Sequence, residues 1–262
     1  RARIESLRIE NARGAFTLAR GPRGWEVRRP EAYRADDVAV ARLIEALWGE
    51  SILGFAGAGE QAAGMLGFEA PRGRLTVKAQ GAAREGLLEI GQPYFELSYA
   101  RDRDREQAFL LDSVTCAPLL ESFSAFLSPV VVSFMPGEAA EIRGPDGQRA
   151  LREPGDEWRW RRADGRPLNG PAVAAFLGRA LRLSTERIEA LLPRADQLAD
   201  WGLPAEGRRF QIRLRDGSEV QLEIGPARGG RRALRSLDYP TLYSLPDSLA
   251  ALPWPLPAVQ SD

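Results

Sequence analysis

The sequence contains two similar halves, spaced by about 133 residues. Trp25 to Arg29 (WEVRR) returns as Trp158 to Arg162 (WRWRR), and Leu88 to Gly91 (LEIG) returns letter for letter as Leu222 to Gly225. The units of solenoid proteins are roughly 20–50 residues long, so a period of this length indicates a duplicated domain. The duplication also supplies an internal control, because a feature found in one copy alone does not belong to the shared scaffold.

Both halves show the same order of strand and helix patterns. Alternating apolar residues predict three half-buried strands at the start of each half. An apolar stripe at helical spacing follows from Val40 to Trp48 and again from Val173 to Leu181. A shorter helix that ends at Gly67 or Gly202 and four further strands complete each pattern. The sequence therefore predicts an α+β fold of two tandem homologous domains, each a mostly antiparallel sheet with one long and one short helix.

The two repeat domains are predicted at 1–133 and 134–262. Pro129 and Pro136 bracket an apolar run from Val130 to Phe134, which predicts a buried strand between two domains that touch. The second domain ends in a Pro-rich tail, which is expected to be extended.

Composition excludes several classes of function. Equal numbers of basic and acidic residues, 36 of each, disfavour a nucleic-acid-binding protein. The sequence has no histidine, so Ser-His-Asp triads, Cys-His dyads and imidazole zinc sites are excluded. Cys116 is the single cysteine. It cannot form an intrachain disulfide and is expected to be a small buried apolar residue. No apolar run approaches the roughly 20 residues of a membrane span.

A glycine-rich segment from Gly57 to Ala62 matches the dinucleotide-binding pattern G-x-G-x-x-A. That fingerprint requires a strand, a turn and a helix within a parallel βαβ unit. The residues that follow predict a hairpin instead, and the corresponding segment from Arg187 to Arg194 contains no glycine. We expect a flexible connection here and no bound cofactor.

The acidic residues predict neither a metal site nor a catalytic site. Asp102, Asp104 and Glu106 alternate, but their spacing does not match an EF-hand loop, so an exposed hairpin tip is expected. Glu89 and Glu223 occupy equivalent strand positions in the two halves. Alternation along the strand predicts that both point outward in a shared scaffold. The sequence gives no catalytic, cofactor-binding or metal-binding residue.

The tryptophans are the candidates for a binding surface. Trp25, Trp158 and Trp160 begin strands and are expected in the core. Trp254 lies in the Pro-rich tail, where a tryptophan needs a surface on which to bury its ring. We therefore predict that Trp254 contacts a partner or a domain groove, and it is the one possible interaction residue.

These segments together resemble a known family. The first half contains GWEVRRP, ADDVAVARLIEAL, LGFEAPRGRLTV and LLEIG, and the second contains EWRWRR, WGLPAEGRRFQIRL and LEIG. The set is similar to the domain of unknown function 4340, which often occurs in tandem. The family's recurring signature is a helix-ending GL.P followed by a strand and L.IG. Its positions here are Gly67, Phe68 and Pro71 with Leu88 to Gly91, and Gly202, Leu203 and Pro204 with Leu222 to Gly225.

The resemblance implies a protein held by one N-terminal membrane helix and associated with ATP-binding-cassette (ABC) export permeases, including gliding-motility auxiliary proteins. The chain begins at Arg1, so we expect that such a helix has been removed. The full-length protein is then periplasmic or extracytoplasmic and anchored to the inner membrane. We predict a non-enzymatic accessory protein of an ABC-type export complex, with permease and ATPase subunits as partners.

Two alternatives remain open from the residues themselves. The first is a small-molecule or glycan binding module whose ligand lies in a groove between the repeats, where pockets commonly form. The second is a carboxylate-based hydrolase, which requires two acids that converge in space.

Overall fold

The structure is a computed structural model that describes residues 3–29, 31–49, 52–58, 64–102, 104–105, 107–156, 159–185, 187–250 and 252. Predictions about Gly59 to Ala62, Glu106, Trp158 and Trp254 concern residues outside this description. The chain divides into two compact units, Arg1–Ser128 and Pro129–Asp262.

Over its described residues, the first unit is built on a nine-stranded antiparallel sheet. The strands are β1 (Ile4–Asn11), β2 (Gly14–Gly21), β3 (Gly24–Arg28), β4 (Ala32–Arg34), β5 (Gly54–Ala58), β6 (Gly73–Ala79), β7 (Gly86–Tyr94), β8 (Leu97–Asp102) and β9 (Gln107–Asp112). The helices are α1 (Asp37–Gly49) and α2 (Ser113–Cys116), with 3-10 helices at Ala117–Leu120 and Phe123–Phe126. The strand order is β4-β3-β2-β1-β6-β7-β8-β9-β5.

The described part of the second unit repeats this arrangement. Its strands are β10 (Ala139–Arg143), β11 (Arg149–Arg152), β12 (Trp160–Arg162), β13 (Pro167–Leu168), β14 (Ile188–Ala190), β15 (Arg208–Leu214), β16 (Glu219–Ile224), β17 (Arg231–Ser236) and β18 (Leu242–Pro246). The helices are α3 (Gly170–Leu181), α4 (Ala195–Asp200) and α5 (Asp247–Ala250), with a 3-10 helix at Pro136–Glu138. The order β13-β12-β11-β10-β15-β16-β17-β18-β14 matches that of the first sheet strand for strand, which is consistent with duplication.

The architecture is mostly β, with two antiparallel sheets and few helices. The antiparallel sheets agree with the sequence prediction, but strands outweigh helices too strongly for the fold to be clearly of the α+β class. The reason is that each sheet gains short edge strands, β4 with β5 and β13 with β14, that the apolar patterns do not reveal.

The long helices lie where the apolar stripes predict them. Asn169 caps α3, because its side-chain oxygen accepts a hydrogen bond from the Ala172 N–H at 3.2 Å. Asp36 accepts in the same way from the Val38 N–H at 2.9 Å, just before α1. The stripe of α3 is buried at Val173, Phe176, Leu177 and Ala180. The stripe of α1 is buried at Val40 and Leu43, whereas Trp48 at its end is exposed.

The apolar run from Val130 to Phe134 is irregular, so the prediction of a strand there is wrong. Val130 forms an isolated bridge with Ser184, and the Val131 N–H donates to the Leu183 carbonyl at 2.9 Å. Three residues of the run are buried in the core of the second unit, namely Val131, Val132 and Phe134. This segment therefore packs with the second unit, which begins after Ser128.

The strand after each long helix pairs at the far edge of its sheet. β5 pairs antiparallel with β9, and β14 pairs antiparallel with β18. Gly57 lies within β5, where a flexible connection is expected from the sequence. Because this pairing is antiparallel, β5 is not part of the parallel βαβ unit that a dinucleotide fingerprint requires.

Candidate functional site

A buried glutamate lies between two arginines on neighbouring strands of the first sheet. Glu89 of β7 stands opposite Arg74 of β6 and Arg101 of β8. Its carboxylate accepts hydrogen bonds from Arg74 Nε at 2.9 Å and from Arg101 Nη2 at 2.5 Å. Burial alone would raise the pKa of Glu89, but the hydrogen bonds and charges of Arg101 and Arg74 outweigh it. They hold the pKa of the carboxyl below its ordinary value.

The second sheet contains the same arrangement. Glu223 of β16 stands opposite Arg209 and Arg235, which donate to its carboxylate at 3.1 and 2.6 Å. The residue is 1 % exposed. A Cβ atom added to Gly207 would lie 3.3 Å from Glu223 Cγ and 2.6 Å from Leu203 Cδ2, so the chain after α4 covers this glutamate. We call the two sets the Arg-Glu-Arg ladders.

The ladders belong to the scaffold. Glu89 and Glu223 lie on the sheet face opposite their apolar neighbours, as alternation predicts, but that face is covered and both carboxylates are buried. The expectation of a solvent-facing position is therefore wrong. In the first unit the Arg101 guanidinium also lies 4.8 Å from the centre of the Phe68 ring. Both carboxylates accept hydrogen bonds from two arginines, so they suit cross-strand stabilisation better than proton transfer.

A third buried glutamate occurs in the second sheet. Glu141 of β10 accepts hydrogen bonds from Arg149 Nε and Arg213 Nη2, both at 2.5 Å. The hydrogen bond from Arg149 lowers the pKa of Glu141 below its ordinary value against the opposing effect of burial, and Arg213 lowers it further. This group also uses its charge within the sheet.

The GL.P and L.IG positions form one packing feature in the second unit. Gly202 follows α4 with φ of 71°, and the Leu203 N–H donates to the Leu198 carbonyl at 2.8 Å, as in a Schellman motif. Gly225 passes beneath this helix end. A Cβ atom at Gly225 would lie 2.6 Å from the Trp201 carbonyl oxygen, so glycine is required there.

The first unit repeats the feature more tightly. Gly67 has φ of 84°, and the Leu66 carbonyl beside it accepts a hydrogen bond from the Gln92 N–H at 2.9 Å. A Cβ atom at Gly91 would lie 2.2 Å from the Leu66 oxygen and 3.0 Å from the Phe68 ring. In both units these glycines thus mark where the chain at Leu66 or Trp201 packs closely on the sheet.

Exposed apolar side chains cluster at the link between β7 and β8. Tyr94 is 44 % exposed and Phe95 is 89 % exposed, and their ring centres lie 4.9 Å apart in an edge-to-face arrangement. Val114, also exposed, stands next to Ser113, whose N–H donates to the Glu96 carbonyl at 3.0 Å. We call Tyr94, Phe95 and Val114 the aromatic tip.

Phe95 has a left-handed backbone conformation, and the residue at the corresponding position of the second unit, Gly229, has the same conformation. Phe95 has φ of 54° and stands four residues after Gly91; Gly229 has φ of 55° and stands four residues after Gly225. This conformation costs a residue with a side chain about 1–2 kcal/mol. Since the scaffold accepts glycine at this position, the strained and exposed phenylalanine is not required by the fold. The aromatic tip is therefore the candidate interaction site.

The other sequence candidates in the described residues lie in the scaffold. Cys116, Trp25 and Trp160 are buried, as predicted. Asp104 is exposed, as expected of a charged hairpin tip. Within the described ranges, no group of three or more His, Cys, Asp or Glu residues is arranged to hold a metal ion. None of the helices described here is long and apolar enough to cross a membrane.

The sequence patterns do not single out the aromatic tip. They predict a strand from Phe95 to Tyr99, whereas β8 begins at Leu97 and Phe95 lies in the turn. A signal was available in the comparison of the two halves, because an aromatic residue in one copy stands where the other has Gly229. Trp254, the predicted interaction residue, lies outside the described residues.

Comparison with known proteins gives one match. Neither the curated proteins nor the solved structures contain a match to this chain. The model of one family, described as a domain of unknown function (DUF4340), matches residues 25–183, from β3 of the first unit to just past the end of α3 in the second. The match covers more than half of the 262 residues, and the chain belongs to the DUF4340 family.

Proposed function

We propose that this protein is a non-enzymatic, extracytoplasmic accessory protein of an ABC-type export complex. Membership of the DUF4340 family supports the proposal, because the resemblance implies proteins of this kind. The structural observation that carries it is the aromatic tip. An exposed aromatic side chain that is held in a costly backbone conformation suits a role in binding another protein.

The proposed partners are the permease and ATPase subunits of the complex, and we propose that one of these subunits offers an apolar pocket to the aromatic tip. Phe95 is 89 % exposed, so nearly its whole side chain is available for burial in a complex. Burial of a phenylalanine side chain contributes about 1.5–3 kcal/mol. That range corresponds to roughly a tenfold to hundredfold gain in affinity.

The test is affinity purification of the full-length gene product from its own membranes, followed by mass spectrometry. The wild type is compared with Phe95→Gly, a variant that the scaffold is expected to accept because Gly229 has the same backbone conformation. The control is Met135→Ser, which removes another exposed apolar side chain, 68 % exposed, from the second unit. We expect the wild type and the control to recover a permease and its ATPase, and Phe95→Gly to recover at least fivefold less.

Purification of the wild type without any transport subunit would overturn the accessory role. Equal recovery with Phe95→Gly would leave that role standing but reject the tip as its contact. The proposed location is tested separately by adding protease to spheroplasts. Digestion of the protein while a cytoplasmic marker survives is expected, and protection of both would contradict an extracytoplasmic position.

A further inference from the structure

The second unit contains a pocket of about 720 Å³ that is lined by four arginines. Arg179 and Arg182 approach it from the end of α3, Arg208 from the start of β15 and Arg232 from β17. We call it the arginine pocket. Its volume lies within the roughly 300–1,000 Å³ typical of sites for small molecules.

The floor of the arginine pocket is apolar. Ile224, Ala250 and Leu252 line it and are each at most 3 % exposed, and Leu249 at its edge is 63 % exposed. The pocket thus combines a cationic rim with an apolar interior.

The positive charge of the rim is only partly balanced. Arg232 forms an ion pair with Asp247. Among the described residues, no carboxylate lies within ion-pair distance of Arg179, Arg182 or Arg208. Counted over the described residues alone, four guanidinium groups against one carboxylate leave a local net charge of +3. An anion placed between these arginines would therefore gain charge-assisted hydrogen bonds.

The first unit has none of these arginines. Its corresponding residues are Ala46 and Gly49 on the long helix, Gly73 at the start of β6 and Ser98 on β8. The isoleucine of the floor is retained, because Ile90 pairs with Gly73 just as Ile224 pairs with Arg208 in the second sheet. The four arginines are therefore specific to the second unit and do not belong to the scaffold that the two units share.

A purely structural role accounts for part of the cluster. Arginines in the last turn of a helix interact favourably with the helix dipole, which suits Arg179 and Arg182. Arg208 and Arg232 also have contacts within the fold. The Arg208 guanidinium lies 5.3 Å from the centre of the Phe210 ring, and Arg232 pairs with Asp247 and donates to the Gly225 carbonyl at 3.4 Å. The helix dipole does not account for these two, because they are on strands, and they line the same cavity as Arg179 and Arg182.

We propose that the arginine pocket binds an anionic amphiphile with a single aliphatic chain. The carboxylate or phosphate head is held by Arg179, Arg182 and Arg208, and the chain lies against Ile224 and Leu252. This assignment is independent of the aromatic tip and of the proposed transport role.

The test is isothermal titration of the whole chain with dodecanoate and with dodecyl phosphate, both below their micelle concentrations. Dodecyl maltoside supplies the same chain with a neutral head, and inorganic phosphate supplies an anion alone. The Arg179→Gln/Arg182→Gln double variant removes two exposed charges, and Arg166→Gln, at an exposed site in the β12–β13 turn, is the matched control.

We expect saturable 1:1 binding of both anionic amphiphiles that weakens as NaCl is raised. Loss of two charge-assisted hydrogen bonds should weaken binding at least tenfold in the double variant, and Arg166→Gln should bind as the wild type does. The neutral maltoside and inorganic phosphate should each bind at least tenfold more weakly than dodecanoate.

Four outcomes would overturn the proposal. Equal binding of the maltoside would indicate a merely apolar surface, and unchanged binding in the double variant would place the ligand elsewhere. Binding to phosphatidylglycerol vesicles without binding of free dodecanoate would indicate attraction to a charged membrane. A further variant, Trp254→Ser, changes the predicted interaction residue of the tail. Binding of dodecanoate by this variant but not by the wild type would mean that the intact chain already occupies the pocket.

Discussion

Substitution of Gly91 by alanine tests the close approach between β7 and the chain at Leu66. The added Cβ atom would lie 2.2 Å from the Leu66 carbonyl oxygen, whereas ordinary contacts begin at 3.4 Å. One of the two backbone segments must therefore move by about 1.2 Å. The hydrogen bond of 2.9 Å from the Gln92 N–H to that oxygen lies directly beside the clash and would be lost or weakened.

The magnitude follows from these two effects. Overpacking costs about 1–3 kcal/mol, and a lost backbone hydrogen bond costs about 0.5–1.5 kcal/mol. We expect Gly91→Ala to lower the free energy of unfolding of the first unit by about 2–4 kcal/mol. Gly225→Ala should cost less, about 1–3 kcal/mol, because its Cβ would lie 2.6 Å from the Trp201 oxygen and Pro226 has no N–H to lose.

Urea unfolding provides the measurement, and Gly86→Ala provides the control. Gly86 lies on the same strand as Gly91, but a Cβ atom there would meet only Val77 at 3.9 Å. We expect its midpoint to stay within the equivalent of about 0.5 kcal/mol of the wild type. The two units can unfold separately, so hydrogen exchange of the amides of β1 and β6 along the urea series is needed to report on the first unit. If Gly91→Ala proves as stable as Gly86→Ala, the close approach does not explain the signature glycine.

Three further predictions concern single residues. Because folding lowers the pKa of Glu89, its ionisation stabilises the fold above the ordinary value of 4.5, and this contribution is lost as the pH falls through the lower folded value. Glu89→Gln should therefore lower the free energy of unfolding by about 1–3 kcal/mol at pH 7 and lose less stability than the wild type below about pH 4.5. Urea midpoints measured across pH check this, and midpoint curves of the variant and the wild type that run parallel would contradict it. Phe95→Gly should leave the free energy of unfolding, measured in urea, unchanged or raise it by up to about 1 kcal/mol, because relief of the left-handed conformation offsets the greater entropy of glycine in the unfolded chain. A clear loss of stability would show that Phe95 supports the fold. Asn11→Ala removes the side-chain N–H groups that donate to the Leu119 and Glu121 carbonyls at 2.9 and 2.8 Å; a cost of about 1–3 kcal/mol is expected in thermal unfolding, and an unchanged melting temperature would contradict it.

Elements with local signals could be predicted from the sequence. The stripe of α3 lies where the sequence predicts it, and Asn169, whose side chain favours the position before a helix, caps it. Both signals depend on residues within or next to one helix. The dipeptide Asp216-Gly217 predicts a two-residue hairpin turn. A turn does form there, with φ of 85° at the glycine, but its link has three residues, because the Leu214 N–H donates to the Ser218 carbonyl at 2.8 Å. Such features need no knowledge of distant parts of the chain.

Elements that depend on distant pairing could not be predicted. Gly54 of β5 pairs with Leu110 of β9, and nothing near Gly54 identifies that partner. The ladders pose the same problem, since the burial of Glu223 requires two other strands and the chain near Leu203. Only the comparison between copies could have indicated Phe95, and even that comparison does not reveal its exposure.

The short strands at the sheet edges affect how two similar sheets can fold within one chain. β13 has two residues, β4 and β14 have three each, and the register of β5 is interrupted between Phe55 and Ala58. Long regular edges offer rows of unpaired backbone groups on which a related strand can pair wrongly. Here each edge offers only a few such groups. Mispairing between the repeats, a recognised failure of tandem domains, would therefore gain few hydrogen bonds before it met a turn or a helix.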